Sequence, residues 1–484
     1  MADTIQPPGK AQDKTPYRKP RGPFAFPLVG ALYTYLENPL DFAIRQYERF
    51  GEVVGVDIMG IRGVVLHGPE ANRYILVDAV DNFLVAPLID KVHARWIVGD
   101  GLLFIDDPRH KRERRLVMPA FHRKRIEEYQ AVMRDTTKEV LDGWRPGKVI
   151  DIAHEMHRLA LIVVGRTLFN MELAGAAHEL GDAVATVVAT VGNPFNIALA
   201  QLPFDLARVG RGGTLRKSLA KIDTILHGVI EQHKRDGHDT GDVVSMLVAA
   251  RDEDGSQLSV QQIRDQLLTL FVAGHETSAN ALAWACYLLA QHPHVTTKLL
   301  AEIERELGNE PPTSADFERL PYLEQVVKEV LRLYPPAPSA NRIARDAFQW
   351  KGYTINKGDI VIYSPFITHR MEKYWREPNV FRPERFDPVN GDPITPYSYI
   401  PFSVGPRSCI GAPFATIEIK TVLAMILQRF RFDLVPGQHI VATVRTTVQP
   451  QDGILMRPYP QDGQVNRSPA PVTGNVLGAT SRRS

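Results

Sequence analysis

Apolar residues recur at helical spacing from about Asp107 to Arg332, and this is the dominant pattern of the chain. Its longest run, from about Val260 to Gln291, predicts a single helix of about 30 residues, about 45 Å long. Two alternating stretches, Val53–Met59 and Gly63–His67, predict a two-stranded hairpin around Gly60-Ile61-Arg62. Strand signals return at Tyr353–Ile355 and Asp359–Tyr363, joined by an Asn356-Lys357-Gly358 turn. The expected fold class is therefore mainly α with small peripheral β-sheets. No internal repeat and no dinucleotide-binding unit is evident.

The two ends differ from this pattern. Residues 1–22 are polar, charged and proline-rich and are expected to be disordered. The run Phe24–Leu36 is too short to span a bilayer and is broken by Pro27 and Gly30. With no transmembrane anchor or secretory leader, a soluble, cytoplasmic protein is expected. Residues 23–459 read as a single domain. Residues 460–484, rich in Pro, Gly, Ser, Thr and Asn, read as a disordered tail.

Composition narrows the class. The 484 residues are 44% apolar, enough for a sizeable core. A net charge of +2 and a pI of 8.4 argue against nucleic-acid binding. Only Cys286 and Cys409 are present, which gives no disulfide framework and fits a reducing compartment. Cys286 lies in the apolar helical run Ala281–Ala290 and reads as ordinary core.

Cys409 is different. It stands in Phe402-Ser403-Val404-Gly405-Pro406-Arg407-Ser408-Cys409-Ile410-Gly411, in a loop leading into an apolar helix. Backbone N–H groups and the positive end of a helix favour an anion at such a place. A thiolate there can bind iron, and a haem with an axial thiolate is primed for O–O cleavage. The plainer alternative is a buried structural cysteine in a glycine-containing turn.

The pattern F-x-x-G-x-R-x-C-x-G resembles the haem-binding loop of the cytochrome P-450 family. The resemblance implies the cytochrome P-450 fold, heme b as cofactor and Cys409 as the iron ligand. It implies that Gly405 and Gly411 allow tight turning and close approach to the porphyrin, that Arg407 pairs with a propionate, and that Phe402 shields the sulfur.

Three further motifs occur in the family's order. Ala273-Gly274-His275-Glu276-Thr277-Ser278 sits mid-way along the long predicted helix and resembles the family's A-G-x-[DE]-T-[TS] dioxygen site. Thr277 would then hydrogen-bond the activated oxygen and Glu276 would relay protons, with Ala273 against the cofactor. His275 is assigned no ligand role. Glu329 and Arg332 share a helix face and, with Pro383-Glu384-Arg385-Phe386, resemble the family's E-x-x-R and P-E-R-F segments. The implied Glu329–Arg332–Arg385 network would brace the cysteine loop. His110 and Arg114, four apart on a helix, resemble the family's W-x-x-x-R or H-x-x-x-R pair. They, with Arg342, would add cations for the propionates.

The function implied is a monooxygenase that places one atom of dioxygen into a hydrophobic substrate and releases the other as water. After Gly411 only 73 residues follow, too few for a reductase domain, so electrons from NAD(P)H are expected through a ferredoxin or flavodoxin-type partner and its reductase. Between Arg109 and Arg125 eight Lys/Arg face one Glu113, read in part as a docking patch for that acidic partner. A monomer is expected. Val184–Val209, including Pro194–Ala200, and Leu84–Ile105 read equally as access lids or ordinary core. A peroxide-driven or rearranging relative and a haem sensor without turnover are the alternative readings. An intact acid–Thr pair at Glu276-Thr277 argues against both.

Overall fold

A computed structural model describes residues 20–22, 38–58, 61–91, 95–170, 176–191, 212–465 and 469–476. The possible lid at Pro194–Ala200 and the run Phe24–Leu36 lie outside the described residues. The longer helices are α1 (Pro39–Phe50), α2 (Arg109–Val117), α3 (Arg123–Asp142), α4 (Ile152–Phe169), α5 (Ala176–Val191) and α6 (Gly212–Asp236). They continue as α7 (Val260–Gln291), α8 (Pro293–Leu307), α9 (Pro321–Leu333) and α10 (Ala412–Arg429). The mainly helical expectation holds.

α7 has the bounds its periodicity predicts. Ser259 and Gln262 form a reciprocal capping box that satisfies two orphan N–H groups at its start. Its 32 residues run through the middle of the core, packed against α4, α6, α9 and α10. Trp284 of α7 stacks on Tyr334, just beyond α9, with ring centroids 4.1 Å apart and planes 6° from parallel. Such a pair contributes about 0.5–1.5 kcal/mol beyond its buried area. Cys286, also on α7, is buried, and burial pushes its thiol pKa up to about 12, as befits inert core.

The main sheet joins β1 (Val53–Ile58), β2 (Ile61–Leu66), β3 (Phe83–Leu84), β5 (Ala340–Ala344) and β8 (Ile360–Tyr363) in the order β1-β2-β8-β5-β3. The first hairpin forms, but Ile61 and Arg62 belong to β2, paired with Ile58 and Asp57, rather than to its turn. The later strands do not pair with each other. β7 (Tyr353–Ile355) pairs with β6 (Phe348–Trp350), while β8 runs parallel to β2. Sequence proximity suggested a pair; the apolar faces of β2 and β5 recruit β8 instead.

A small sheet holds β4 (Ile150–Asp151), β12 (Leu455–Pro460) and β9 (Phe430–Leu434), and a separate hairpin pairs β10 (Ala442–Val444) with β11 (Val448–Pro450). Short described segments near both ends are held against the domain. Near the N-terminus, Arg21 accepts the N–H of Gly55 through its carbonyl at 2.7 Å. In the tail, residues 469–476 form a strap along the chain before β10, with Thr473 bridging His439 in parallel. Ala470, Val472 and Val476 pack on the main core, which offsets the ordering entropy that composition alone suggests would win.

Candidate active site at the start of α10

The cysteine loop is built by backbone constraints. Gly405 has φ +75°, and a Cβ there would lie 2.1 Å from the carbonyl oxygen of Leu76, so only glycine fits. Gly411 is different: a Cβ would meet the Cys409 sulfur at 3.9 Å, an ordinary contact. The folded chain alone therefore does not demand glycine at 411. The N–H of Cys409 donates to the Phe402 carbonyl at 2.8 Å, closing the loop before α10.

The Cys409 side chain is exposed although protein surrounds it closely. Burial raises its pKa above the ordinary thiol value, while the N–H groups of Gly411 and Ala412 and the cation of Arg114 oppose the rise. The N–H groups at the helix end thus act toward the thiolate as expected, against the larger effect of desolvation.

Cations gather beside the cysteine loop. Burial lowers the pKa of Arg407, with Asp106 opposing and Arg342 and Arg114 adding to the fall. Arg114 is lowered by burial and feels Cys409. His110, buried on α2, is lowered to about 4, first by burial and then by Arg407. Arg342 donates only to the neighbouring Asn341 carbonyl, at 2.8 Å, among its hydrogen bonds between described residues. Three neighbouring guanidiniums, one of them beside the sulfur, fit a flat, doubly anionic metal group: the fork of Arg suits carboxylates, and the sulfur suits iron. Arg407 also donates to Asp106 at 2.9 Å and to the Ile105 carbonyl at 2.8 Å.

Across from α10, the middle of α7 opens. Residues 263–271 and 278–289 are buried, whereas 272–277, which include Ala273, Glu276 and Thr277, are half-exposed. A central helix, buried on both sides of these middle turns and open within them, lines an internal space. Thr277 donates its hydroxyl to the Ala273 carbonyl at 2.6 Å, competing with the helical ladder. Both oxygens of Glu276 accept from the Thr446 hydroxyl, at 2.8 and 2.6 Å. His275 uses Nδ1 against the Phe271 carbonyl at 2.8 Å. No group of three His, Cys, Asp or Glu side chains suited to a metal ion occurs among the described residues.

Glu329, Arg332 and Arg385 meet in the interior with fully buried side chains. Glu329 accepts from Arg332 Nε at 2.7 Å and Nη2 at 2.9 Å, and from Arg385 Nε at 2.9 Å. Arg332 then donates to the carbonyls of His369 and Pro378, each at 2.7 Å.

Two residues escaped the sequence reading. His369 accepts the N–H of Ile400, two residues before Phe402, and so joins this network to the cysteine loop. Glu418 on α10 is wholly buried, and neither of its oxygens has a well-formed hydrogen bond among the described residues, although the Ser278 hydroxyl lies close by. Burial raises its pKa to about 8, tempered by the Ser278 hydroxyl next to Thr277. A lone acid in the apolar run of α10 was the available signal.

The basic run changes meaning. Arg109 pairs with Asp100 and Glu113, Lys111 with Asp107, and Arg112 and Arg115 with Asp252. Arg123 pairs with Glu127, and Arg125 with Glu128 and Asp239. Arg114 turns toward Cys409, leaving Lys124 without an ion-pair partner among the described residues. A free cationic docking patch is not what these residues form.

Comparison with known families settles the class. A family model described as cytochrome P450 matches residues 20–462. The chain belongs to the cytochrome P-450 family. This P-450 is 34% identical to cyclooctatin synthase of Streptomyces melanosporofaciens, over 88% of this chain and 92% of that protein. It is 30% identical to pentalenene oxygenase of Streptomyces avermitilis, over 88% of this chain and 94% of that protein. The retinoic-acid-bound cyanobacterial CYP120A1 superposes with a TM-score of 0.81 at 25% identity, covering 92% of this chain and 100% of that one. As a family member the chain is a haem-dependent monooxygenase. No helix among the described residues is long and apolar enough to cross a membrane.

Proposed function

We propose that this P-450 oxidises a terpene-like hydrocarbon, taking its two electrons from a separate ferredoxin or flavodoxin-type donor with an NAD(P)H-dependent reductase. The balance is one substrate C–H bond, one dioxygen, two electrons and two protons giving an alcohol and water. The observation that carries it is the sulfur of Cys409 beside Arg114, with Arg407 lying near both Arg114 and Arg342, and an apolar, half-exposed stretch in the middle of α7. The terpene class is supported by the terpene-oxidising relatives. A separate donor is supported by relatives that this chain covers almost end to end. The cytoplasm, as a reducing compartment, suits two unpaired cysteines.

When bound, the haem supplies the reductive activation of dioxygen and the oxygen insertion. Cys409 would hold it through sulfur. Arg114, Arg342, Arg407 and His110 would neutralise or hydrogen-bond its propionates. Phe402 limits water at the sulfur. Ala273 keeps the facing turn of α7 small, while Gly274 lets α7 pack closely on Val164 of α4. Thr277, whose proton is committed to Ala273, offers its oxygen as an acceptor and so holds a proton donor at the site. Glu276, half-exposed, exchanges protons with solvent and passes them inward.

The test is a reconstituted assay with a surrogate ferredoxin, its reductase and NADH against terpene hydrocarbons and fatty acids. Substrate-dependent optical shifts and one alcohol per NADH for a terpene support the reading. Turnover by peroxide alone would replace the electron-donor part. A reduced, CO-treated protein lacking the red-shifted Soret band, with Cys409→Ser behaving identically, would overturn it.

A further inference from the structure

We propose that the C-terminal strap, residues 469–476, is a positioning element for Glu276, acting through the β10–β11 hairpin. The inference rests on the reading of Glu276 as the proton-delivering acid. The strap lies beyond residue 462, where the family match ends.

The tip of the hairpin is registered on α7. Thr446 donates to Glu276, Asn280 Nδ2 donates to the Thr447 hydroxyl at 2.9 Å, and Trp284 Nε1 donates to the Val448 carbonyl at 3.1 Å. Residues 276, 280 and 284 are one helical turn apart, so three successive hairpin residues follow one stripe of the helix. The orientation of the Glu276 carboxylate is therefore set by where the hairpin stands.

The base of the hairpin is held by the strap. Asn475 accepts the Ala442 N–H at 2.7 Å and donates back to the Ala442 carbonyl at 3.0 Å, a two-point grip on the first residue of β10. Before that grip, Gly437 donates to Pro471 and Ile440 to Thr473, each at 2.8 Å. Gly474 has φ +120°, and a Cβ there would lie 1.9 Å from the Ile440 carbonyl oxygen, so the close passage requires glycine. The other end of the strap is tied to α7 itself, where Gln291 Nε2 donates to the Ala470 carbonyl at 3.0 Å. Helix, strap and hairpin thus form a closed loop of contacts, with Glu276 at one corner and Asn475 at another. Each arm of the hairpin is three residues, about 10 Å, so a shift at Ala442 is carried to Thr446 with little slack.

The test compares the haem-loaded parent with Asn475→Ala, with a chain ending at Gln464, and with Thr446→Val. The first readout is hydrogen exchange of amides 442–448. The second is product formed per NADH, with its pH profile. The proposal expects faster exchange in both strap variants and a loss of coupling of about two- to thirtyfold. The reduced CO spectrum should be unchanged. Thr446→Val should lower coupling similarly, Thr446→Ser should restore it, and adding Asn475→Ala to Thr446→Val should cost nothing more. Unchanged exchange, or faster exchange with parental coupling and pH profile, would overturn the proposal. If truncation prevents folding, Asn475→Ala decides alone. A parent that forms no oxygenated product in any arm would instead defeat the reading of the enzyme beneath it.

Discussion

His369 Nε2 accepts the backbone N–H of Ile400 at 2.9 Å, linking the buried Glu329–Arg332 pair to the cysteine loop. The ring must be neutral to accept. Burial, with Arg332 and Arg370 nearby, holds its pKa well below the ordinary 6.5, and it stacks on Tyr399 at 5.5 Å. The unfolded chain binds a proton at His369 below about pH 6.5 while the folded chain does not. Its contribution to stability is thus complete above that pH and declines as pH falls, by up to about 1.4 kcal/mol per pH unit. His369→Leu should abolish this component of the pH dependence and orphan the Ile400 N–H, costing about 1–3 kcal/mol. Thermal melts from pH 5 to 8, with haem content measured alongside, check both.

Glu329→Ala leaves two buried guanidiniums without their shared carboxylate. Breaking a buried ion pair by removing one partner costs about 3–5 kcal/mol. The expected product is haem-poor and prone to aggregation; a fully loaded, soluble variant would contradict the bracing role.

Thr277→Ala removes a hydroxyl whose proton is already committed to Ala273, so the fold should tolerate it. NADH consumption should continue while product per NADH falls by about tenfold or more, since general acid–base groups contribute about 10²–10⁴-fold. Thr277→Ser should retain most coupling. Stoichiometry of NADH, peroxide and product measures this.

Glu418→Gln should stabilise the protein. The folded pKa of about 8 lies above the ordinary 4.5, so the unfolded chain sheds its proton first. Stability is lost as pH rises from 4.5 towards 8, and the amide abolishes that loss. A gain on the order of 1–3 kcal/mol at pH 7, shrinking toward pH 5, is expected from denaturant titrations.

The parts that were legible in sequence are those whose determinants are local. Ser259 and Gln262 are three apart and cap α7, and the Cys409 loop is ten contiguous residues. The parts that were not legible depend on partners far along the chain. The partners of Arg112 and Arg125, Asp252 and Asp239, are more than a hundred residues away. His369 has no flanking motif, and its role exists only because Ile400 folds onto it. The strap hid behind a disorder-like composition, because three apolar residues in eight suffice once a groove is present.

A guanidinium already seated on a carboxylate has little attraction left for another. Most of the positive charge of residues 109–125 is engaged in this way, so its field closes within the protein. An electron donor approaching that surface would be selected by shape and apolar fit more than by long-range pull. Its association rate should accordingly decline only shallowly as ionic strength increases.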